Sequence, residues 1–342
     1  MVDESRTAAA TSLHYDLVVK ALKKGRVVPF LGAGVNLCDR PREATWIADQ
    51  SDFLPSSTEL AQYLVEEMKE YTETLSEYAE TLRDTKDLSR VSQFLAVMEG
   101  SDPLYQQLRE VFDEDYPLTS LHHFLAALPM QLKEKGYPRR RNPLYPHFLI
   151  VTTNYDDLLE RAFIERKQAF HLVYYIACGK KCGSFWYIAP DGKRMLIDSP
   201  DSRPDLTEDC PVILKIHGAI NRGDDELDSY VITEDDYINY LSRQDVTSRI
   251  PDSIINQLER SHLLFLGYGL HDWNLRVILY RLWQEREREL RSWAVQMNPK
   301  RFDVRFWRAR GVEILNDPLS EYTAELKRRV DALEAQGNPD AA

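Results

Sequence analysis

RVVPFLGAGVN, residues 26–36, is the stretch on which the predicted fold depends. Its apolar part, Val27 to Leu31, has the length and composition of a buried strand, and it runs directly into Gly32-Ala33-Gly34. Glycine has no Cβ, so the backbone can turn sharply here and its N–H groups can approach a phosphate, with a following helix N-terminus adding partial positive charge. The stretch therefore predicts a strand followed by a phosphate-binding loop.

Two residues in or next to this stretch depart from the usual dinucleotide-binding pattern. Leu37 stands where the fingerprint has its third glycine, and Pro29 removes a backbone donor from a strand that is expected to be central. An ordinary tight turn is therefore the alternative interpretation of the glycines.

Three further apolar runs also end in polar or glycine-rich residues. They are 148–153 before Asn154-Tyr155-Asp156, 212–216 before His217-Gly218, and 263–266 before Gly267-Tyr268-Gly269. In a parallel sheet, the loops at the carboxyl ends of the strands form the ligand crevice, so we expect the four loops to converge on one site.

Composition limits the function classes. The chain has 342 residues, a formal net charge of −12 and four cysteines. The acidic balance argues against a broad nucleic-acid-binding face, so no direct DNA readout is expected. The cysteines form neither a disulfide framework nor two ligand pairs, which favours a cytoplasmic location, and we expect neither a signal peptide nor a membrane span.

The pattern of apolar residues predicts an α/β fold with a Rossmann-like, doubly wound parallel sheet and a helical insertion. After the glycine loop, 37–55 is expected to be an ordered loop or a mobile lid, and helices are expected at about 56–83, 88–98, 103–112 and 119–128. We therefore divide the chain into a core, 1–36 and 131–342, and an insertion, 37–130.

Strands and helices are expected to alternate in the rest of the core. A helix at 12–24 leads into the first strand, and Arg139-Arg140-Arg141 is a solvated loop or a phosphate patch. The predicted strands are 148–153, 171–177, 212–216, 262–267, 292–297 and 312–315, with a hairpin at 185–197. The predicted helices begin near 156, 234, 272, 302 and 319.

Together the motifs resemble a known family. GAGVN at 32–36, TTNYD at 152–156, IHG at 216–218, GYGLHDWN at 267–274 and the late Asn298 occur in the order used by sirtuins. Over about residues 15–319, the chain resembles the bacterial sirtuin-like NAD hydrolases associated with phage defence.

The resemblance implies a binding role for each matching residue. Gly32, Ala33 and Gly34 would cradle the pyrophosphate of NAD, with Asn36 where many relatives have serine, and Thr153 would also belong to the NAD-binding residues. The residues that would line the adenosine side are Gly267, Tyr268 and Asn298.

Three residues carry the implied catalytic roles. Asn154 would contact the nicotinamide ribose and order a water, Asp156 would hold the nicotinamide carboxamide, and His217 would be the general base. An imidazole suits that role because its unperturbed pKa is near neutrality. The alternatives are that Asn154 or Asp156 caps the following helix and that His217 is a satisfied turn histidine.

The chain also departs from the protein-deacylating sirtuins. They carry a structural zinc module with two CxxC pairs after the catalytic histidine, whereas here no cysteine follows Cys210, and Cys178 and Cys182 precede His217. A structural zinc needs four ligands, so none is expected. The segments that clamp an acyl-lysine peptide are also unrecognisable, which favours water as the acceptor.

The expected activity is therefore that of an NAD+ glycohydrolase, releasing ADP-ribose and nicotinamide. The alternatives are an NAD-dependent deacylase or ADP-ribosyltransferase with a degraded zinc module, and a non-catalytic NAD or ADP-ribose sensor. The resemblance further implies a homo-oligomer, a HerA-type hexameric ATPase or another defence subunit as partner, and NAD depletion on infection.

Overall fold

A computed structural model of the protein describes residues 2–68, 82, 85–138, 146–177, 179–199, 202, 204, 206, 210–243, 249–270 and 290–335. The α-helices of these residues are α1 (Val2–Leu22), α2 (Ser57–Met68), α3 (Leu88–Glu99), α4 (Ser101–Phe112), α5 (Ser120–Glu134), α6 (Leu158–Glu165), α7 (Glu234–Ser242), α8 (Asp252–Arg260), α9 (Arg301–Ala309) and α10 (Leu319–Asp331). Short 3-10 turns cover Ala33–Leu37, Gly179–Lys181 and Asp225–Leu227.

The strands are β1 (Val27–Leu31), β2 (Leu149–Thr152), β3 (His171–Tyr175), β4 (Phe185–Ile188), β5 (Arg194–Ile197), β6 (Val212–Lys215), β7 (Gly218–Ala219), β8 (Ser229–Tyr230), β9 (His262–Leu266), β10 (Ser292–Gln296) and β11 (Val312–Asn316). Within the described residues, nine of them form one sheet in the order β11-β10-β9-β1-β2-β6-β3-β4-β5, and β7 pairs with β8. The pairs from β11 to β3 are parallel, and the pairs β3–β4 and β4–β5 at the edge are antiparallel. The predicted α/β fold with a mainly parallel sheet is confirmed.

β1 explains how the sheet comes to be covered on both faces. Successive side chains of a strand point to opposite faces. Val27 and Leu31 belong to a core cluster with α1, α5 and α10, whereas Val28 and Phe30 belong to a second cluster with α8 and Trp307 of α9. Helices therefore pack against both faces, as the doubly wound prediction requires.

Pro29 lies inside central strand β1, and the register explains why it is tolerated. The carbonyl of Leu31 accepts the N–H of Thr153, so the odd-numbered positions of β1 face β2. The registered pairing with β2 begins only at Phe30 opposite Val151, whereas the pairing with β9 covers all of Val27–Leu31. The missing N–H thus falls where the ladder with β2 has not yet begun.

A third apolar cluster joins α2, α3 and α4 to the residues that follow β2 and β6. Its members include Leu64, Val91 and Leu108 of the helices, together with Leu158 and Tyr230. Helix α5, by contrast, packs with β1 and α10 in the first cluster. The division of the chain at 36 and 130 stays a prediction.

A capping box lies at the start of α2. The N–H of Ser56 donates to Glu59 at 2.8 Å, and the N–H of Glu59 donates to the Ser56 hydroxyl at 3.3 Å. Glu59 also binds the Arg40 guanidinium with both carboxylate oxygens. This ion pair ties the loop after β1 to α2.

Some predicted elements differ from the structure. Helix α5 continues through Pro129 to Glu134, because Leu128 and Leu132 bury the same face against the sheet on both sides of the proline. Helix α8 was not predicted. The predicted helix at 272–288, the end of the one at 56–83 and Arg139-Arg140-Arg141 lie outside the described residues.

Among the residues that the structure describes, no helix is both long enough and apolar enough to cross a membrane.

Candidate functional site

The four motif-bearing loops are neighbours because the strands that precede them are neighbours. β9, β1, β2 and β6 are consecutive in the sheet and parallel, so their carboxyl ends share one edge. The chain passes from β1 to β2 on one side and later places β9 on the other side. Strand order thus reverses at β1, and the crevice at such a reversal is where doubly wound sheets bind ligands.

Gly34 and Gly267 let the loops after β1 and β9 touch. The N–H of Gly34 donates to the carbonyl of Gly267 at 3.0 Å, and that of Gly32 donates to Leu266 at 3.0 Å. A Cβ on Gly34 would lie 2.8 Å from the Gly267 oxygen, and one on Gly267 would lie 2.3 Å from the nitrogen of Val35. Neither position has room for a side chain.

These contacts change the interpretation of the glycine loop. The tight turn considered as the alternative is present, and the N–H groups of Gly32 and Gly34 bond to the end of β9 and to the loop after it, so they are not the donors that a phosphate would meet. Ala33, between them, is exposed at the start of the 3-10 turn. The remaining contact surface of this loop is therefore Ala33 and the turn that follows it.

Tyr268 bridges two of the loops across the end of β1. Its hydroxyl donates to Oγ1 of Thr153 at 2.6 Å, and its ring lies edge-on to Phe30 at 5.6 Å between centroids. A Cβ on Gly32 would lie 2.8 Å from this ring. Tyr268 and Thr153, both predicted to bind NAD, therefore hold each other in place.

Asn36 and Asp156 form a second bridge, between the loops after β1 and β2. Nδ2 of Asn36 donates to Oδ2 of Asp156 at 2.7 Å, and both side chains are buried. Oδ1 of Asp156 accepts the N–H of Leu158 at 3.2 Å. Asp156 therefore binds the first N–H of α6, whose N-cap is Asp157, while also fixing Asn36.

Asn154 does not have the capping role considered for it. Its N–H donates to Oγ1 of Thr152 at 3.0 Å, which fixes the backbone just after β2. Its side-chain Oδ1 is buried and has no hydrogen-bond partner. This amide oxygen is therefore available to a ligand.

His217 follows β6 and is buried, with 5% of its surface exposed. Its ring lies edge-on to Tyr237 at 5.4 Å and to Tyr240 at 5.8 Å, and its Nε2 has no partner. Burial lowers the pKa of His217 to about 3, so the ring is neutral near pH 7. His217 is therefore not the fully hydrogen-bonded turn histidine of the alternative interpretation, because its Nε2 has no partner.

Gly218 explains why a glycine follows this histidine. Its φ is +92°, and a Cβ would lie 2.0 Å from the carbonyl oxygen of Ser229. The close approach allows β7 to pair with β8, and the His217 carbonyl accepts the N–H of Val231 at 2.8 Å. The turn that positions the imidazole is thus built by backbone contacts.

Three buried polar atoms without partners follow three neighbouring strands. They are Oδ1 of Asn36 after β1, Oδ1 of Asn154 after β2 and Nε2 of His217 after β6. Each such atom costs about 1–3 kcal/mol of desolvation when it stays unpaired. Similar atoms occur elsewhere, for example at Ser92 and Gln107, so the shared strand-end position is what indicates a ligand site.

Asn298 lies on the same edge but farther out. It follows β10, which neighbours β9, and has a left-handed φ of 51°. Its N–H donates to the side chain of Asn316 at 2.8 Å. The residue is exposed, as is expected of a position at the rim of the crevice.

Lys215 was not singled out from the sequence. It is fully buried at the end of β6, where its ammonium group donates to the carbonyls of Tyr155 (3.3 Å) and Asp156 and to Oε1 of Glu160 at 2.7 Å. Burial raises the pKa of Glu160, and the Lys215 charge opposes that shift. The signal was a lysine inside the otherwise apolar run VILKI at 212–216.

His122 lies at the start of α5, within reach of the charge of Asp156. Its Nδ1 lies 3.2 Å from the N–H of Thr119 in a capping box at the start of α5. Burial lowers its pKa to about 4, although the charge of Asp156 acts in the opposite direction. It therefore acts as a helix cap.

The described residues contain no group of three or more His, Cys, Asp or Glu side chains that could hold a metal ion. Cys182 donates its thiol to the carbonyl of Ala177 at 2.8 Å, and Cys178 lies outside the described residues. The expectation of no structural zinc stays a prediction.

Comparison with known proteins agrees with this arrangement. A family model described as a SIR2-like domain matches residues 149–315. The match includes Asn154, His217 and Gly267, but it begins after the glycine loop of β1.

The chain is also similar to a curated protein named Defense-associated sirtuin 2, from Bacillus subtilis. The two are 22% identical over 264 residues, which is 77% of this chain and 20% of that protein. The chain therefore spans about a fifth of the length of this distant relative.

Proposed function

We propose that the protein is an NAD+ glycohydrolase, which converts NAD+ and water into ADP-ribose, nicotinamide and a proton. The proposal rests on the SIR2-like domain and on one observation about the site, namely the three unpartnered polar atoms of Asn36, Asn154 and His217. Two of them are amide oxygens and the third is a ring nitrogen. Ribose hydroxyls and a water have the O–H donors that such acceptors require.

The neutral imidazole of His217 suits the proposed site as a hydrogen-bond acceptor, while burial moves its pKa below the near-neutral value that favours a strong general base. With its pKa lowered to about 3 by burial, the ring adds no second positive charge to a site that takes the cationic nicotinamide ring. Its unpartnered Nε2 can accept a hydrogen bond from a ribose hydroxyl or from the attacking water. Asn154, on the next strand end, can orient that water.

The loops carrying these groups are braced before any ligand arrives. The bridges Tyr268–Thr153 and Asn36–Asp156 and the buried Lys215 connect the ends of β9, β1, β2 and β6. Preorganised groups need little rearrangement as charge develops in the transition state. In many enzymes, such electrostatic preorganisation makes the largest contribution to the rate enhancement.

We propose water as the acceptor of the ADP-ribosyl group, because the segment after His217 forms a short strand pair where a peptide-binding groove would be expected in a deacylase. β7 is paired with β8. The loop between them is held by Arg109 of α4, which donates to Asp228 at 2.8 Å. This pairing occupies one edge of β7 that a peptide strand would otherwise use.

Nicotinamide release from NAD+ by the purified full chain tests the proposal. His217→Ala and Asn154→Ala should each lower the rate about a hundredfold or more, the usual scale for lost acid–base catalysis. His123→Ala, which changes a half-exposed histidine, is the matched control and should retain the rate. Thermal melting of all variants separates lost chemistry from lost folding.

Three results would contradict the proposal. Near-normal cleavage by His217→Ala would remove the general base from the mechanism. Release that requires an acyl-lysine peptide would point to deacylation, and NAD binding without any release would point to a sensor.

The biological role is a further part of the proposal. The curated relative is named as defence-associated, and NAD depletion is the matching outcome for a glycohydrolase. A homo-oligomer in the cytoplasm, working with a HerA-type hexameric ATPase or another defence subunit, is the proposed setting. Measuring cellular NAD during phage infection, with wild type and His217→Ala, tests it.

A further inference from the structure

A cavity of about 890 Å³ lies at the end of the sheet opposite to the candidate site. It is formed by the last turns of α1 and α10, the turn that enters β1 and the residues after α5. Its lining residues are Asp16, Val19, Lys20, Lys23, Lys24, Arg26, Tyr137, Pro138, Arg328, Arg329, Ala332 and Leu333. The volume lies within the range of roughly 300–1,000 Å³ that is typical of small-molecule sites.

β1 separates this cavity from the candidate site. Arg26, in the cavity, precedes the strand, and Gly32, in the candidate site, follows it. Five strand residues span roughly 16 Å at about 3.3 Å each. The two sites therefore cannot share one small ligand group.

The cavity lining carries a surplus of positive charge. Arg328 and Arg329 are paired with Glu325, and Arg329 also pairs with Asp16. Lys20, Lys24 and Arg26 are exposed and, among the described residues, none of them has a carboxylate partner. These three charges face one cavity on a protein whose formal net charge is −12.

Helix ends explain only part of this surplus. α1 and α10 both end at the cavity, and basic residues are favoured at helix C-termini, where each helix carries about half a negative charge. Two such ends balance about one of these three cations, and Lys23, over the ring of Tyr137, adds a fourth to the lining. The remaining positive charge is not balanced by a carboxylate among the lining residues that the structure describes.

The cavity wall is fixed by contacts that would keep a site in shape. Lys135 donates to the carbonyls of Asp331 (2.9 Å) and Leu333 (2.6 Å), which joins α5 to the end of α10. A Cβ on Gly25 would lie 3.2 Å from Pro138, so the turn into β1 rests directly on this wall. The cations therefore surround a formed concave surface.

We propose that this cavity binds a small phosphate-bearing ligand, a nucleotide whose phosphates contact Lys20, Lys24 and Arg26. The partly buried apolar side chains of Val19 and Leu333 provide the surface for its base. The concave shape favours a small molecule over a nucleic-acid strand, which would require a cationic stripe. This inference does not depend on the proposed NAD cleavage.

Calorimetric titration of the full chain with ATP tests the proposal. The cavity variant Lys20→Ala/Lys24→Ala/Arg26→Ala should bind ATP at least tenfold more weakly than wild type. The control Lys86→Ala/Arg90→Ala/Arg166→Ala removes the same charge from exposed positions elsewhere and should bind within twofold of wild type. A single Lys24→Ala variant, expected to weaken binding severalfold, covers the case in which the triple variant does not fold.

Two further titrations separate the ligand classes. Inorganic tripolyphosphate should bind more weakly than ATP and should also be weakened in the cavity variant. If tripolyphosphate bound as tightly as ATP, the assignment to a nucleotide would be overturned. If a single-stranded oligonucleotide bound more tightly than ATP, the assignment to a small molecule would be overturned. Absence of ATP binding, or equal binding by the cavity variant and wild type, would overturn the site itself.

Discussion

His217 determines how the proposed reaction should respond to pH. A general base must be unprotonated, so activity is lost as pH falls through its folded-state pKa. With that pKa lowered to about 3 by burial, kcat/KM should show no loss due to His217 between about pH 8 and 5. An ordinary, solvated histidine would instead give a midpoint near its unperturbed pKa of about 6.5.

The measurement is the pH profile of kcat/KM for NAD cleavage, recorded alongside thermal melting at each pH. A decline centred between about pH 6 and 7, without unfolding, would mean that His217 is hydrated in solution. The Asn154→Ala variant is the control, because it should lower the rate and leave the shape of the profile unchanged.

Lys215 gives a prediction on stability as well as activity. Lys215→Met leaves Glu160 buried without its cation, and breaking such a pair costs about 3–5 kcal/mol. Lys215→Met/Glu160→Leu removes both charges and should recover most of that loss in urea unfolding. NAD cleavage should stay low in both variants, because the carbonyl of Asp156 has lost its ammonium donor and that of Tyr155 keeps only the N–H of Ile220.

If the double variant recovered NAD cleavage as well as stability, the prediction that Lys215 also supports activity would be wrong. Lys215 would then serve the fold only and would not position the loop that carries Asn154.

At the scale of elements, the loops after β1 and β9 depend on their glycines. Gly267→Ala must place a Cβ 2.3 Å from the nitrogen of Val35, at a φ of +68°. Gly311→Ala is a matched control, since its φ is +76° and nothing lies within 4 Å of its Cβ. The control should cost about 1 kcal/mol of unfolding free energy for backbone strain, and Gly267→Ala about 1–3 kcal/mol more for the clash.

Urea unfolding of both variants measures the difference. Equal losses would mean that the loops separate without cost and that the contact between Gly34 and Gly267 contributes little. A larger loss in Gly267→Ala should also lower NAD cleavage more than Gly311→Ala does.

Elements with strong local signals could be predicted from the sequence. The apolar runs of β1, β2, β6 and β9 are flanked by turns, so their existence and their parallel arrangement followed from pattern. Helix α8 was missed although Ile254 and Leu258 lie one turn apart, a spacing typical of a helix. The continuation of α5 past Pro129 depends on packing against the sheet, which no local signal carries.

The sequence predicted at which strand ends the residues of the candidate site lie, but it did not predict which of these residues contact each other. The loop residues follow from motif order, and the sheet places them on one edge. That Gly34 would bond to Gly267, that Asn36 would hold Asp156 and that Lys215 would pin the loop after β2 are pairings between residues far apart in sequence. Such pairings depend on the register and sheet order, which are properties of the whole chain.

For the whole molecule, charge is distributed unevenly between the two ends of the sheet. The three unpartnered atoms of the candidate site belong to neutral side chains at the carboxyl ends of the strands, whereas the cavity of the further inference collects cations without carboxylate partners at the amino ends. The acidic net charge of the chain therefore does not predict the local charge of either site. It argues only against broad cationic surfaces, such as a nucleic-acid-binding face.

Buried histidines should make the molecule sensitive to acid. Burial lowers the pKa of His14 to about 4, that of His122 to about 4 and that of His217 to about 3. Unfolded, each ring has a pKa of about 6.5, so between these values the unfolded state binds more protons than the folded state. The stability that these groups contribute is therefore complete above about pH 6.5 and decreases as pH falls toward 4.

His14 allows this to be measured away from the candidate site, since it packs against Tyr322 and Trp293. The difference in unfolding free energy between wild type and His14→Gln should fall as pH is lowered from about 6.5 to 4, by up to roughly 1.4 kcal/mol per pH unit. His123→Gln, which replaces a half-exposed ring, is the control. A wild-type advantage over His14→Gln that stays constant across this range would mean that His14 is protonated equally in both states, and acid sensitivity would then have to come from other groups.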